Sequence, residues 1–244
     1  MRGVLVMLAA TALITASGCG GARYEHRLEE TLDNWRYKKR LDDNLIAAPK
    51  GTKFESYHIF VRPPQSLKGP SKEFLLGVQE PGKFELTESF LEGNKQSLHV
   101  LARVKAPKDP ASKKKAAAKP EDAVVRGEFS ADVIAILNSV YGVELDLAKA
   151  KEESKGQKIK NSYKHLFFEA NGKDVHVYLY GKKDAIYNVA LIFEYPKSES
   201  KTLASKIELC LESFTTGTRA QKAYSGAVTE DEQNEPQPGA PVAF

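Results

Sequence analysis

Cysteine is scarce in this chain. The two present, Cys19 and Cys210, are far apart, which excludes a multi-bridge disulfide scaffold and a paired-cysteine metal knuckle. No segment reaches the roughly 20 apolar residues of a membrane-spanning helix, and the run VLVMLAATALI at residues 4–14 is only about half that length. An excess of one charge is also missing. The formal net charge is +4, with lysines dispersed or in tails and no nucleic-acid-binding motif, so nucleic acid is not an expected partner. No P-loop, GxSxG, HExxH or dinucleotide fingerprint occurs, which argues against the common catalytic families. The five histidines are scattered, and none is at metal-ligand spacing from another. Neither a metal nor a cofactor is expected.

What is present starts at the N-terminus. Met1-Arg2 gives positive charge, an apolar run follows, and small residues close it, which is the layout of an export signal. Residues 16–19, Ala16-Ser17-Gly18-Cys19, resemble the lipobox of bacterial lipoproteins, with Ala16 where that motif prefers Leu. The resemblance implies that residues 1–18 are removed, that the Cys19 thiol takes a diacylglyceryl group and that the new amine is acylated. Each buried methylene adds about 0.8 kcal/mol, so two or more chains hold a protein stably on a membrane. Gly20 stands where Asp signals inner-membrane retention in the enterobacterial pattern, which favours the outer membrane. The expected address is the cell envelope, lipid-anchored to a membrane, with the outer membrane or a periplasmic face favoured. The competing reading is an ordinary cleaved signal that happens to end beside a cysteine. If Cys19 carries lipid, Cys210 has no disulfide partner. It shares helical spacing with Leu203, Ile207, Leu211 and Phe214, which predicts a buried thiol acting as a small hydrophobe.

The hydrophobic fraction of 41% and charged fraction of 28% fit a globular chain with a real core. Residues 24–45 read as a helix with partial amphipathicity from Leu28, Leu32 and Trp35, broken at Lys38-Lys39. With residues 19–50 expected as lipidated N-terminus and stalk, a helix lying on the domain fits equally, as a tether ordered against the body or as a partner-binding helix. From Phe54 the period becomes two, predicting strands at 56–62, 73–78, 83–91 and 97–105. The alanine, lysine and proline of residues 106–120 predict a mobile insertion, with a basic membrane-contact loop as the sharper alternative. FSADVIAILNSVYG predicts a helix at 129–142, capped by Ser130, stapled by Phe129 and Ile134, lined inward by Val133, Ile136, Leu137 and Val140, and stopped at Gly142. Residues 144–162 read as loop with a helical turn or two. Strands follow at 164–169, 173–180 and 185–195, with a type I′ turn at Asn171-Gly172. The third of these is apolar on both faces and so should be central. A helix at 202–214, with Ser200 as cap and Gly217 as stop, closes a domain spanning 51–217. The tail 218–244 has little to bury and predicts disorder.

The resulting class is α+β, mainly antiparallel sheet with helices packed on it. The layout of residues 54–217, and the closing NVALIFEYPKSESKTLASKIELCLESF, resemble the PsbP-like α/β/α sandwich, which includes the Ran-binding Mog-type proteins. That family implies a binding or accessory role. One constellation offers chemistry. Asp174, His176, Tyr178 and Tyr180 share a face of one strand, and His99 and Arg103 share a face of another. Brought together, they would hold a carboxylate or phosphate, or a metal. The bland alternative is aromatic cross-strand packing on a half-exposed face. No serine has a histidine and an acid placed for a relay. The expected function is a membrane-anchored accessory domain that binds an envelope protein or a small ligand without catalysis. The alternatives are a hydrolase or metal-dependent enzyme on the His99, Arg103, Asp174 and His176 face, and a structural spacer.

Overall fold

The computed structural model describes residues 21–71, 76, 82–105, 127–156, 160–182 and 185–226. Cys19, the insertion at 106–120 and most of the expected strand 73–78 lie outside the described residues. The chain divides after Asn44 into two units. The first contains helix α1, Gly21–Asn44, held along its length by local pairs such as Arg36 Nη1 to Asp33 Oδ1 at 3.0 Å. No helix among the described residues is long and apolar enough to cross a membrane.

The second unit is built on a seven-stranded sheet. Its strands are β2 (Lys68–Ser71), β3 (Leu86–Glu92), β4 (Gln96–Val104), β5 (Lys151–Lys155), β6 (Asn161–Ala170), β7 (Lys173–Tyr180) and β8 (Tyr187–Pro196), in the order β2-β3-β4-β8-β7-β6-β5. Every neighbouring pair is antiparallel. The class is therefore α+β, as the period-two runs imply. Strand β8 is central, and Asn188 to Phe193 are buried without a break, because both its faces are covered. Helix α3, Phe129–Tyr141, covers one face: Phe129, Val133, Ile134 and Leu137 pack with Leu101, Val177, Ala190 and Ile192. Helix α4, Ser200–Ser213, buries Leu203, Ile207, Leu209, Cys210 and Leu211. Phe214, which ends it, lies 4.3 Å from the Tyr180 ring on the opposite face of the sheet. Cys210 is fully buried, and burial pushes its thiol pKa well up, which fits the inert hydrophobe expected there.

Turn chemistry is where the sequence predicts it. Asn171 and Gly172 adopt φ of 51° and 77°, the pair of positive angles that a type I′ turn requires. Gly142 ends α3 in the left-handed region at φ 65°, its N–H donating to Asn138 O.

Several expectations are corrected. Ser130 does not cap α3: the N-cap is Glu128, with no side-chain hydrogen bond, and the helix start is held by Arg103, which donates to Gly127 O. Val140 is 42% exposed and so is not part of the inward stripe. Ser200 begins α4 rather than capping it, because the turn Lys197–Glu199 leads straight in. Residues 144–162 contain edge strand β5, whose KEESK is mostly exposed and offers no alternation to read. It is held by pairing with β6 from Lys151↔His165 to Lys155↔Asn161. A charged edge of this kind also resists pairing with another chain. Residues 56–62 split into the end of helix α2, Lys53–Ser56, and the short strand β1, Ile59–Phe60. That strand pairs not with the main sheet but with β9, Thr215–Thr216.

The chain also stays ordered past Gly217. Helix α5, Thr218–Ser225, replaces the expected disorder at the start of the tail. It buries Ala220 and Tyr224, and the Tyr224 hydroxyl donates to Ile59 O at 2.9 Å. An aromatic ring with little around it in the sequence finds its cover across the fold, edge-on to Phe60 at 5.1 Å. Residues 227–244 lie outside the described residues. Tyr224→Ala is expected to destabilise the domain by about 3–5 kcal/mol, the range for deleting a buried aromatic. Urea unfolding checks this, and a disordered segment would show no change. Gly172→Val, which forces a β-branched residue to positive φ, should cost about 1–2 kcal/mol in the same assay.

Candidate functional site

Strand register decides which candidates meet. Directly paired residues project to the same face of a sheet, and neighbours along a strand to opposite faces. His99 pairs with Ile192, which pairs with Val177. His99 and Arg103 therefore share the face of Val177, and Asp174, His176 and Tyr178 project from the other. The sheet separates the two halves of the constellation expected from the sequence, so the joint carboxylate, phosphate or metal site does not form.

On the α3 face, His99 is the middle of a buried polar chain. Ser89 Oγ lies 2.7 Å from its Nδ1, and Glu194 Oε1 lies 3.0 Å from its Nε2. The Tyr141 hydroxyl, at the end of α3, donates to the same Glu194 oxygen. Lys173 Nζ reaches Glu194 Oε2 at 3.4 Å. Burial by itself would raise the Glu194 pKa. The hydrogen bonds from His99 and Tyr141, and the charges of His99 and Lys173, outweigh it and bring the value down to about 2. Burial and the neighbouring carboxylate push the Tyr141 hydroxyl far above its ordinary value.

Serine, histidine and acid in this order have the connectivity of a nucleophile, its base and the group that orients the base. Access is what they lack. Ser89 is 0% exposed and His99 1% exposed, so no substrate carbonyl reaches the hydroxyl. The arrangement is a strut joining β3, β4, β8 and α3. The sequence reading found no such relay. Half of it was within reach, since Ser89 and His99 pair directly across the β3–β4 hairpin, but the acid depends on the β4–β8 register.

Arg103 is also committed internally. Its Nη2 donates to Asp132 Oδ2 at 2.7 Å, and Lys83 Nζ approaches Asp132 Oδ1 at 3.2 Å. The guanidinium sits over the Phe84 and Phe129 rings at 5.4 and 5.7 Å. It pins the start of α3 to the sheet.

The opposite face carries an aromatic array. His176 stacks with His165 at 5.2 Å and with Tyr195 at 5.5 Å, and His165 stacks with Tyr178 at 4.7 Å. His165 Nε2 and His176 Nδ1 are 3.0 Å apart, and Glu153 Oε1 is 3.6 Å from His165 Nδ1. Burial, and then the His165 charge, lower the His176 pKa to about 4 despite the opposing influence of Asp174. Phe167 tilts against His176 at 4.8 Å and remains 51% exposed. Asp174 is buried, paired across from Tyr195. This is the cross-strand packing alternative, realised with an exposed rim. Among the described residues no group of three or more His, Cys, Asp or Glu side chains is arranged to hold a metal.

Two hollows remain. One of about 210 Å³ is lined by Lys160, Asn161, Tyr180, Tyr187, Phe214 and Thr216, among others. The buried Tyr180 hydroxyl has no hydrogen-bond partner among the described residues, and this volume suits a few waters or a small polar group. A wider depression of about 960 Å³ lies along the β5–β6 edge, with Glu152, Lys164 and Lys182 on its walls.

No protein-family model matches the chain, and no curated protein sequence does. Among solved structures it is similar to the solution structure of cyanobacterial PsbP (CyanoP) from Synechocystis sp. PCC 6803. The TM-score is 0.39 and the identity 11%, over 71% of this chain and 93% of that one. A likeness of this degree says nothing of ligand, partner or activity.

The Glu194 carboxylate makes acid sensitivity predictable. Its pKa falls from 4.5 to about 2 on folding, so its contribution is complete above pH 4.5 and is lost as pH drops from there through 2. The loss should be about 3 kcal/mol, read as the difference between unfolding curves of the parent and Glu194→Gln across that window. For His176, NMR titration should find a neutral ring at pH 5.5. An imidazole half-protonated near pH 6.5 would contradict the burial described.

Proposed function

We propose that this chain is an envelope lipoprotein, fastened to a membrane through acyl chains on Cys19, whose α+β domain works as a non-catalytic binding or accessory module. The observation that carries the reading is the small-residue triplet and cysteine at residues 16–19, directly behind a basic start and a short apolar run. Helix α1, Gly21–Asn44, follows Cys19 by two positions. The accessory role is supported by where polar chemistry sits. Among the described residues, the Ser89, His99 and Glu194 arrangement, which has nucleophile-relay connectivity, is closed to solvent at Ser89 and His99. What faces solvent is an aromatic rim at Phe167 and the β5–β6 depression, surfaces suited to contact. Binding is accordingly assigned to an envelope protein or a small polar ligand, with the outer membrane as the favoured location.

Expression in a bacterial host with an alkyne-tagged palmitate tests the anchor. The mature chain is expected to carry label at Cys19 and to sediment with membranes, and Cys19→Ser should lose the label and shift to the soluble fraction. A mature N-terminus with an unmodified thiol, or an unchanged distribution of Cys19→Ser, defeats the reading.

A further inference from the structure

Large hydrophobic side chains that remain in water are concentrated on α1. Tyr24 is 68% exposed, Leu28 47%, Leu32 41% and Trp35 60%. At 100° per residue these four positions occupy one sector about 80° wide, and from first to last they extend about 17 Å along the helix. The opposite side is polar, with His26 3.7 Å from Glu30 and Arg36 3.0 Å from Asp33. Lys39 flanks the stripe, its Nζ 5.5 Å from the Trp35 ring centre.

Position along the chain indicates what covers them. Helix α1 starts at Gly21, two positions after Cys19, and two extended residues reach at most about 7 Å. Acyl chains on Cys19 would therefore hold the first turn of α1 within a headgroup's depth of the bilayer. Tyr and Trp favour the boundary between headgroups and hydrocarbon, and a lysine beside them can extend its stem along the apolar layer while its ammonium stays among the phosphates. We propose that the Tyr24, Leu28, Leu32 and Trp35 stripe docks into that boundary, so that α1 runs along the membrane surface as a second attachment instead of standing away from it as a stalk. This rests on the lipid anchor at Cys19. Two attachments of this kind reinforce one another, because the lipid raises the effective concentration of the stripe at the surface.

Trp35 is the chain's single tryptophan, so intrinsic fluorescence reads the stripe directly. The lipidated full chain is reconstituted into phosphatidylcholine–phosphatidylglycerol vesicles, with and without bromine on the lipid acyl chains. The expected result is a blue-shifted Trp35 emission that loses intensity with brominated lipid. Leu28→Glu combined with Leu32→Glu should abolish both effects while the protein still floats with the vesicles. Protein that floats but shows emission like that of Cys19→Ser in buffer, without bromine quenching, overturns the docking and leaves the anchor intact. A wild-type chain that does not float marks failure of the anchor and removes the basis for both. A lipid-free Cys19→Ser chain that oligomerises and shields Trp35 from aqueous iodide assigns the stripe to a second copy, which also overturns the proposal.

Discussion

Strand β8 is held between β4 and β7 in a single register, and the rest of the domain depends on that placement. Its residues from Asn188 to Phe193 are buried on both faces, so a slip of one position would turn every side chain to the wrong side. The register also places one carboxylate, Glu194, near the covered face under α3. A charge buried there is tolerable only with partners. His99 from β4, Tyr141 from α3 and Lys173 from β7 supply them. The same contacts join the sheet to its helix.

Two polar clusters at separate positions on that face do related work. Arg103, with Asp132 and two aromatic rings, fixes where α3 begins, and Glu194 with Tyr141 fixes where it ends. Between them lies the apolar contact of Val133, Ile134 and Leu137 with the sheet. Residues that look chemically active in isolation are thus used up in positioning a helix. The other face divides its surface differently. Helix α4 covers the Tyr180 end, and the His165, His176 and Phe167 region keeps an exposed rim. Ser89 and His99 are closed off from solvent, and the aromatic rim at Phe167 stays open to it.

Local signals were legible wherever a residue's neighbours in the chain decide its conformation. The Asn171-Gly172 turn, the Gly142 stop of α3, the two-faced apolar run of β8 and the helical stripe containing Cys210 were all readable in this way, and together they were enough to recognise an antiparallel α+β domain. Strand β5 was not readable, because KEESK has no apolar alternation and is held only by its ladder to β6. Helix α5 was missed because the burial of Tyr224 is created by Ile59 and Phe60, far away in sequence. The candidate site failed for a related reason. Alternation shows that His99 and Arg103 share a face, and that Asp174, His176 and Tyr178 share a face, but not whether the two faces coincide.

By itself, then, the sequence determined the elements, most of their ends, and the small-residue and cysteine pattern from which an anchor is read, since these depend on residues within a few positions of one another. Tertiary structure alone decided which side chains meet. The pairing of β4 with β8 and of β1 with β9 joins segments remote in the chain, and such registers are selected by the packing of the whole core. That selection put Ser89, His99 and Glu194 into one hydrogen-bonded chain and sent His176 to the other side of the sheet.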